Sequence, residues 1–184
     1  MTRQGKLLIA LGAVAALYLF TRTKTGSNML AQAADKIAAL IFKEEGLRLT
    51  VYQDTGGAWT IGYGHKVLPG EGFYPYGSTR TITKEQALAL REKDTRLAAS
   101  AVTDYVNVPL TVNQLTALVS LAYNIGRSAF GTSTLARLLN NRDYAGAASQ
   151  FDRWVYDNGK VDPILVARRA REKKLFLTPD SGAA

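Results

Sequence analysis

Hydrophobic positions along this chain follow three patterns. Residues 7–20 are an unbroken apolar run of fourteen, with Arg3 and Lys6 before it and Arg22 and Lys24 after it. Residues 21–28 are polar and carry Gly26, the make-up of a linker. From 29 to 45, Ala33, Ile37, Leu40 and Ile41 recur at helical spacing on one face. That predicts an amphipathic helix ending at Glu45, with Gly46 just past its C-terminus, where a left-handed residue is favoured. The period then changes to two. Leu49, Val51 and Gln53 alternate with Thr50, Tyr52 and Asp54, and Asp54-Thr55-Gly56-Gly57 is turn chemistry before the β-prone Trp59-Thr60-Ile61. A hairpin is therefore expected.

Residues 66–83 hold Pro69, Gly70, Gly72, Pro75 and Gly77, too many breakers for a helix, and read as the rest of a small β lobe. Helical spacing returns after Thr83. Thr83-Lys84-Glu85-Gln86 and Thr111-Val112-Asn113-Gln114 both have the form of a capping box. They open helices predicted to run to about Asp104 and Asn124, the second closed by Gly126. Leu115, Leu118, Val119, Leu121 and Ala122 make this second helix apolar nearly all round, the mark of a core helix. Shorter helices are expected near 134–140, 144–155 and 164–176, with Asn158-Gly159 as a turn and a frayed tail after Leu177. The domain plan is an apolar segment and linker over 1–28, a folded unit over 29–177, and a disordered tail over 178–184.

Composition narrows the chemistry. The chain has 184 residues, enough for one domain of two lobes with a real core, and no cysteine, which excludes disulfides and thiol catalysis. A net charge of +8 favours anionic partners. No motif supports nucleic-acid binding. Fourteen helical residues span roughly 21 Å, short of the roughly 30 Å hydrocarbon core. The 7–20 run fits a signal sequence, a buried helix or a weakly held membrane anchor. Thr21-Arg22-Thr23-Lys24 offers no cleavage signature, which favours the anchor.

Two carboxylates stand out. Glu45 is expected at a helix end and Asp54 at a strand tip nine residues on, with Thr60 six residues later. Paired acids across a groove are what glycoside hydrolysis uses. At a helix C-terminus Glu45 meets the negative end of the macrodipole, and packing against the sheet desolvates it; both raise its pKa and suit a general acid. Glu44 is one position round the helix and points elsewhere. Asp54 alone also suits an ordinary turn aspartate, and Thr60 a strand threonine. His65, the sole histidine, has no His or Cys company for a metal, and no metal or cofactor is expected. Tyr52, Asn124 and Arg168 or Arg169 are candidate groove residues. In Arg168-Arg169-Ala170-Arg171-Glu172-Lys173-Lys174, five bases against one acid read as a solvated helix face or as a contact with anionic polymer or lipid.

The stretch 44–65, EEGLRLTVYQDTGGAWTIGYGH, resembles the active-site segment of the phage T4-type lysozymes, a muramidase family with a Glu–Asp–Thr set. Ala122-Tyr123-Asn124-Ile125-Gly126 and Phe151-Asp152-Arg153-Trp154-Val155 also resemble this family's endolysins, so the likeness covers residues 30–176. It implies an α+β lysozyme-like fold, a small antiparallel β lobe and a larger helical lobe with the site in the cleft between them. It implies inverting hydrolysis of peptidoglycan with Glu45, Asp54 and Thr60 as catalytic residues, Tyr52, Asn124 and Arg168 toward substrate, and Asp94 paired with His65. It further implies a monomer held at the inner membrane by residues 7–20 as a signal-anchor-release segment, let go when a holin opens, and delivered to the periplasm. Two alternatives remain at this level: a lytic transglycosylase working with one acid, and a non-catalytic cationic, membrane-active lysis protein.

Overall fold

The computed structural model describes residues 35–40, 46–54, 56–72 and 80–180. Glu45, Thr55 and the apolar run 7–20 lie outside the described residues. Among those described, no helix is long and apolar enough to cross a membrane.

Residues 35–40 are helical. A three-stranded antiparallel sheet follows in the order β1 (Arg48–Gln53), β2 (Trp59–Gly62), β3 (His65–Lys66). Tyr52 pairs with Thr60 and Gln53 with Trp59, whereas Arg48 already faces Gly62, so β1 carries a bulge between Arg48 and Tyr52. The sheet folds onto helix α1 (Lys84–Tyr105) through Ile61, Tyr63, Val67, Ile82 and Ala87, a core of its own. Gly62 allows this closeness. Its φ is 70°, and a Cβ there would meet the Ala87 Cβ at 3.3 Å.

The helical body is built around α2 (Val112–Ile125), flanked by α1, α3 (Arg127–Gly131), α4 (Thr134–Asn140), α5 (Tyr144–Ser149) with a 3-10 turn (Gln150–Arg153), and α6 (Pro163–Leu177). Leu118, Val119 and Leu121 are fully buried, as expected of a core helix, and Phe130, Leu135, Leu139 and Phe151 close over them. Each such side chain contributes about 1.5–3 kcal/mol by leaving water. Both expected capping boxes form, with Thr83 and Gln86 bonding reciprocally, and likewise Thr111 and Gln114.

Asn158-Gly159 forms the expected turn, with positive φ at both residues (48° and 75°), and it joins two short strands, β4 (Tyr156–Asp157) and β5 (Lys160–Val161). Such a turn matches the twist of a hairpin. Two expectations need correction. The segment 144–155 is not one helix, because its last turn tightens into the 3-10 turn after Ser149. The chain after Leu177 is docked as far as Asp180. The Asp180 carboxylate accepts from the backbone N–H groups of Val112 (2.7 Å) and Asn113 (2.9 Å), the open N-terminus of α2. Asn113 Nδ2 in turn donates to the carbonyls of Thr178 and Pro179. Free helix-start N–H groups favour an anion, so the tail has a reason to stay.

Candidate active site

The β1–β2 tip is organised by Asp54. Its backbone exchanges hydrogen bonds with the turn, Asp54 N to Ala58 O and Gly57 N to Asp54 O, both at 2.9 Å. Its Oδ1 accepts from Ala58 N at 2.8 Å. One carboxylate oxygen thus holds the turn, and the other, Oδ2, lies 3.5 Å from Thr60 Oγ. The Thr60 hydroxyl is also 3.0 Å from Ala58 O. It has a single proton, and the shorter contact to the carbonyl takes it. Thr60 Oγ is then left as an acceptor beside Asp54 Oδ2, and the pair can receive both protons of one water molecule. Thr60 is 2% exposed, so this geometry is firmly packed, whereas Asp54 is half-buried.

Tyr52 stands opposite Thr60 in the ladder and therefore on the same face of the sheet. The Arg48 guanidinium lies 4.4 Å from the centre of its ring. Asn124 is half-buried near the C-terminal end of α2, where the neighbouring Tyr123 hydroxyl donates to Tyr63 O at 2.9 Å and ties body to sheet. Tyr52, Asp54 and Thr60 thus gather on one sheet face, with Asn124 at the junction of the lobes.

Arg168 is elsewhere in character. It is 4% exposed, not on an open groove wall, and its Nε lies 3.3 Å from Glu172 Oε1. Arg169, 1% exposed, places Nε 2.8 Å from Glu172 Oε2, and Ser120 Oγ donates to Glu172 Oε1 at 2.6 Å. The solvated face expected for this stretch is therefore corrected for Arg168, Arg169 and Glu172. They turn into the body because a carboxylate and a hydroxyl meet them there. Burial pushes the Glu172 carboxyl up, while the guanidiniums of Arg169 and Arg168 and the Ser120 hydroxyl favour its charged form.

His65 at the start of β3 is brought against Asp94 of α1, Nδ1 to Oδ2 at 2.8 Å. A second carboxylate was not foreseen: Glu71 Oε2 stands 3.0 Å from Nε2. A neutral imidazole can donate from one nitrogen only, so two carboxylates call for imidazolium. Burial alone would lower the His65 pKa, but the bonds and charges of Asp94 and then Glu71 outweigh it and the net direction is up. Glu71 goes down. Its own burial opposes this, and the Leu68 N–H, His65 and Lys93 together prevail. Among the described residues no cluster of three or more His, Cys, Asp or Glu gathers as a metal site.

Residues 42–172 of the chain match the family described as phage lysozyme. It is 42% identical over 147 residues to an endolysin of Acyrthosiphon pisum secondary endosymbiont phage 1, which covers 78% of this chain and 96% of that relative. It is 35% identical over 136 residues to a SAR-endolysin of Enterobacteria phage P21, covering 72% and 77% respectively. Among solved structures, the muramidase domain of SpmX from Asticaccaulis excentricus superposes with a TM-score of 0.65 at 40% identity, covering 79% of this chain and 96% of that one.

Proposed function

Because the chain belongs to the phage lysozyme family, we propose that Glu45, Asp54 and Thr60 are its catalytic set and that they work by inversion. The enzyme itself is a muramidase endolysin, hydrolysing the β-1,4 bond between N-acetylmuramic acid and N-acetylglucosamine in peptidoglycan. Glu45 protonates the glycosidic oxygen as the bond breaks. Asp54 takes a proton from water on the opposite face of the sugar, and Thr60 fixes that water. Inversion needs the two carboxyls about 6.5–9.5 Å apart, with the water between Asp54 and the anomeric carbon. Tyr52 and Asn124 border the bound glycan.

The observation that carries the reading is Asp54 Oδ2 beside a Thr60 oxygen whose proton is already given to Ala58 O. A lytic transglycosylase closes an anhydro ring without water and has no use for that arrangement. The test is product mass from purified peptidoglycan together with Glu45→Gln and Asp54→Asn variants. Each variant should lose most activity with its fold intact, and wild-type products should be hydrated reducing sugars. Anhydro-muramyl ends, or a full-rate Asp54→Asn enzyme, would defeat the assignment.

An inner-membrane location is supported by residues 7–20 and by the similarity to a SAR-endolysin. The segment is uncleaved and weakly anchors the enzyme in the inner membrane. It leaves when a holin discharges the membrane potential and so frees the enzyme into the periplasm. Its shortfall against the bilayer and its alanines and Gly12 make escape cheap. A mature protein beginning after residue 20 would contradict this, without touching the catalytic assignment.

A further inference from the structure

The helical body reaches the sheet tip a second time, through the β4–β5 hairpin. Asp157 Oδ1 lies 3.4 Å from where a Gly56 Cβ would stand, and Asp54 Oδ1 lies the same distance from that point. Two carboxylates, one from each lobe, therefore converge on a position that has no side chain. Asp54 is committed through Oδ1 to Ala58 N. Asp157 is not: among the described residues its half-buried carboxylate takes no hydrogen bond and no ion pair. Its place is nonetheless well defined. Asp157 pairs with Lys160 across the ladder, the Asn158-Gly159 turn closes the hairpin, and Asp162 N to Val155 O (2.8 Å) extends it. Tyr156, the preceding residue, alternates to the other side and is 62% exposed.

The geometry points to Asp157 as a substrate-positioning residue that accepts hydrogen bonds from hydroxyl or acetamido N–H groups of the glycan lying along the Asp54 tip. Two like charges repel, and both carboxylates are acceptors only. What suits the space is a ligand rich in donors and without negative charge of its own there, which describes the sugar ring and its N-acetyl group rather than the carboxylates of the stem peptide. Gly56 keeps the gap open. An alanine there would stand in van der Waals contact with both carboxylates.

This rests on the assignment of Asp54 to catalysis, and the experiment separates the two. Steady-state kinetics on soluble peptidoglycan glycan strands are compared for wild type, Asp157→Ala, Asp157→Asn, Gly56→Ala, the Gly56→Ala/Asp157→Ala pair and Asp54→Asn. Asp157→Ala should raise KM about tenfold with kcat little changed, the signature of lost uniform binding by one charge-assisted hydrogen bond. Asp157→Asn, whose amide oxygen still accepts, should recover most of that loss. Gly56→Ala should cost less in the Asp157→Ala background than alone, because both changes act on one gap. An unchanged KM in Asp157→Ala overturns the proposal. So does a loss that Asp157→Asn does not recover and that tracks a fall in Tm. A full-rate Asp54→Asn enzyme would instead remove the catalytic reading beneath it.

Discussion

Two ionic clusters among the described residues contrast in nearly every respect. One, at the edge of the sheet lobe, surrounds His65 with Asp94 and Glu71, whose side chains are about a fifth exposed. The other, inside the body, surrounds Glu172 with Arg168, Arg169 and Ser120, and its carboxylate is fully buried. The first depends on a histidine whose pKa the bonds and charges of Asp94 and Glu71 raise against the effect of burial. The second depends on guanidiniums that stay charged at any accessible pH. The difference teaches where each can fail. The rim cluster is discharged as pH climbs through the raised pKa of His65, and the body cluster as pH falls through the raised pKa of Glu172, its carboxylate partner.

Removal of that partner has the largest expected effect. Glu172→Gln leaves two nearly sealed guanidiniums facing an amide that offers no charge, and Ser120 loses its acceptor's charge as well. Breaking a buried ion group in this way costs about 3–5 kcal/mol. Urea or thermal unfolding should show the loss at pH 8, and less of it as pH falls through the raised pKa of Glu172. A cost under about 1 kcal/mol would mean the cluster is not closed to water and would erase the contrast.

The rim cluster should also respond to pH. The His65 pKa is raised in the folded state, so its stabilisation is complete below the unfolded value near 6.5 and is lost as pH climbs through the folded value. Glu71 is depressed, so its share is complete above its ordinary value near 4.5 and is lost as pH falls through the lower folded value. The two windows overlap between about pH 4.5 and 6.5. Stability of wild type minus that of His65→Asn should be largest there, roughly 2–3 kcal/mol for two charge-assisted hydrogen bonds, and should shrink at alkaline pH. A difference that is flat from pH 5 to 9 would show that His65 does not titrate in that range and would remove the pH response from this cluster.

The two clusters also differ in how far the sequence discloses them. The β1–β2 tip is legible because its chemistry is local: acid, turn and threonine lie within seven residues, and Asp54, Ala58 and Thr60 bond among themselves. Both capping boxes are local in the same way. Asp94 was reached only through family likeness, since it lies 29 residues from His65. Glu71 was missed although it is six residues away, because a loop rich in Gly and Pro carries no period from which direction can be read. The Ser120–Glu172 bond spans 52 residues, and an Arg-rich helix turn reads as solvated until a buried acceptor is known to face it. Strands β4 and β5 have two residues each, too few to show alternation, so the turn was visible and the hairpin carrying Asp157 was not.

The smallest expected effect sharpens the comparison at its outer edge. Lys93 Nζ lies 3.3 Å from Glu71 Oε1, and the lysine side chain is half exposed. It adds charge to the rim cluster without being enclosed by it. Exposed pairs of this kind contribute about 0.2–1 kcal/mol, less the entropy of ordering the lysine. Lys93→Gln should therefore cost a few tenths of a kcal/mol at low salt. The cost should vanish in about 1 M salt, where the screening length falls to about 3 Å. The His65 bonds, enclosed and shorter, should keep most of their pH-dependent stabilisation under the same conditions. Lys93 is also the last of the groups that hold Glu71 down. Its removal should move the acid edge of the stability profile slightly upward and leave the alkaline edge, set by His65, where it was. If salt flattened both edges together, the imidazole would be as open to solvent as the lysine, and the rim cluster would be a surface feature throughout.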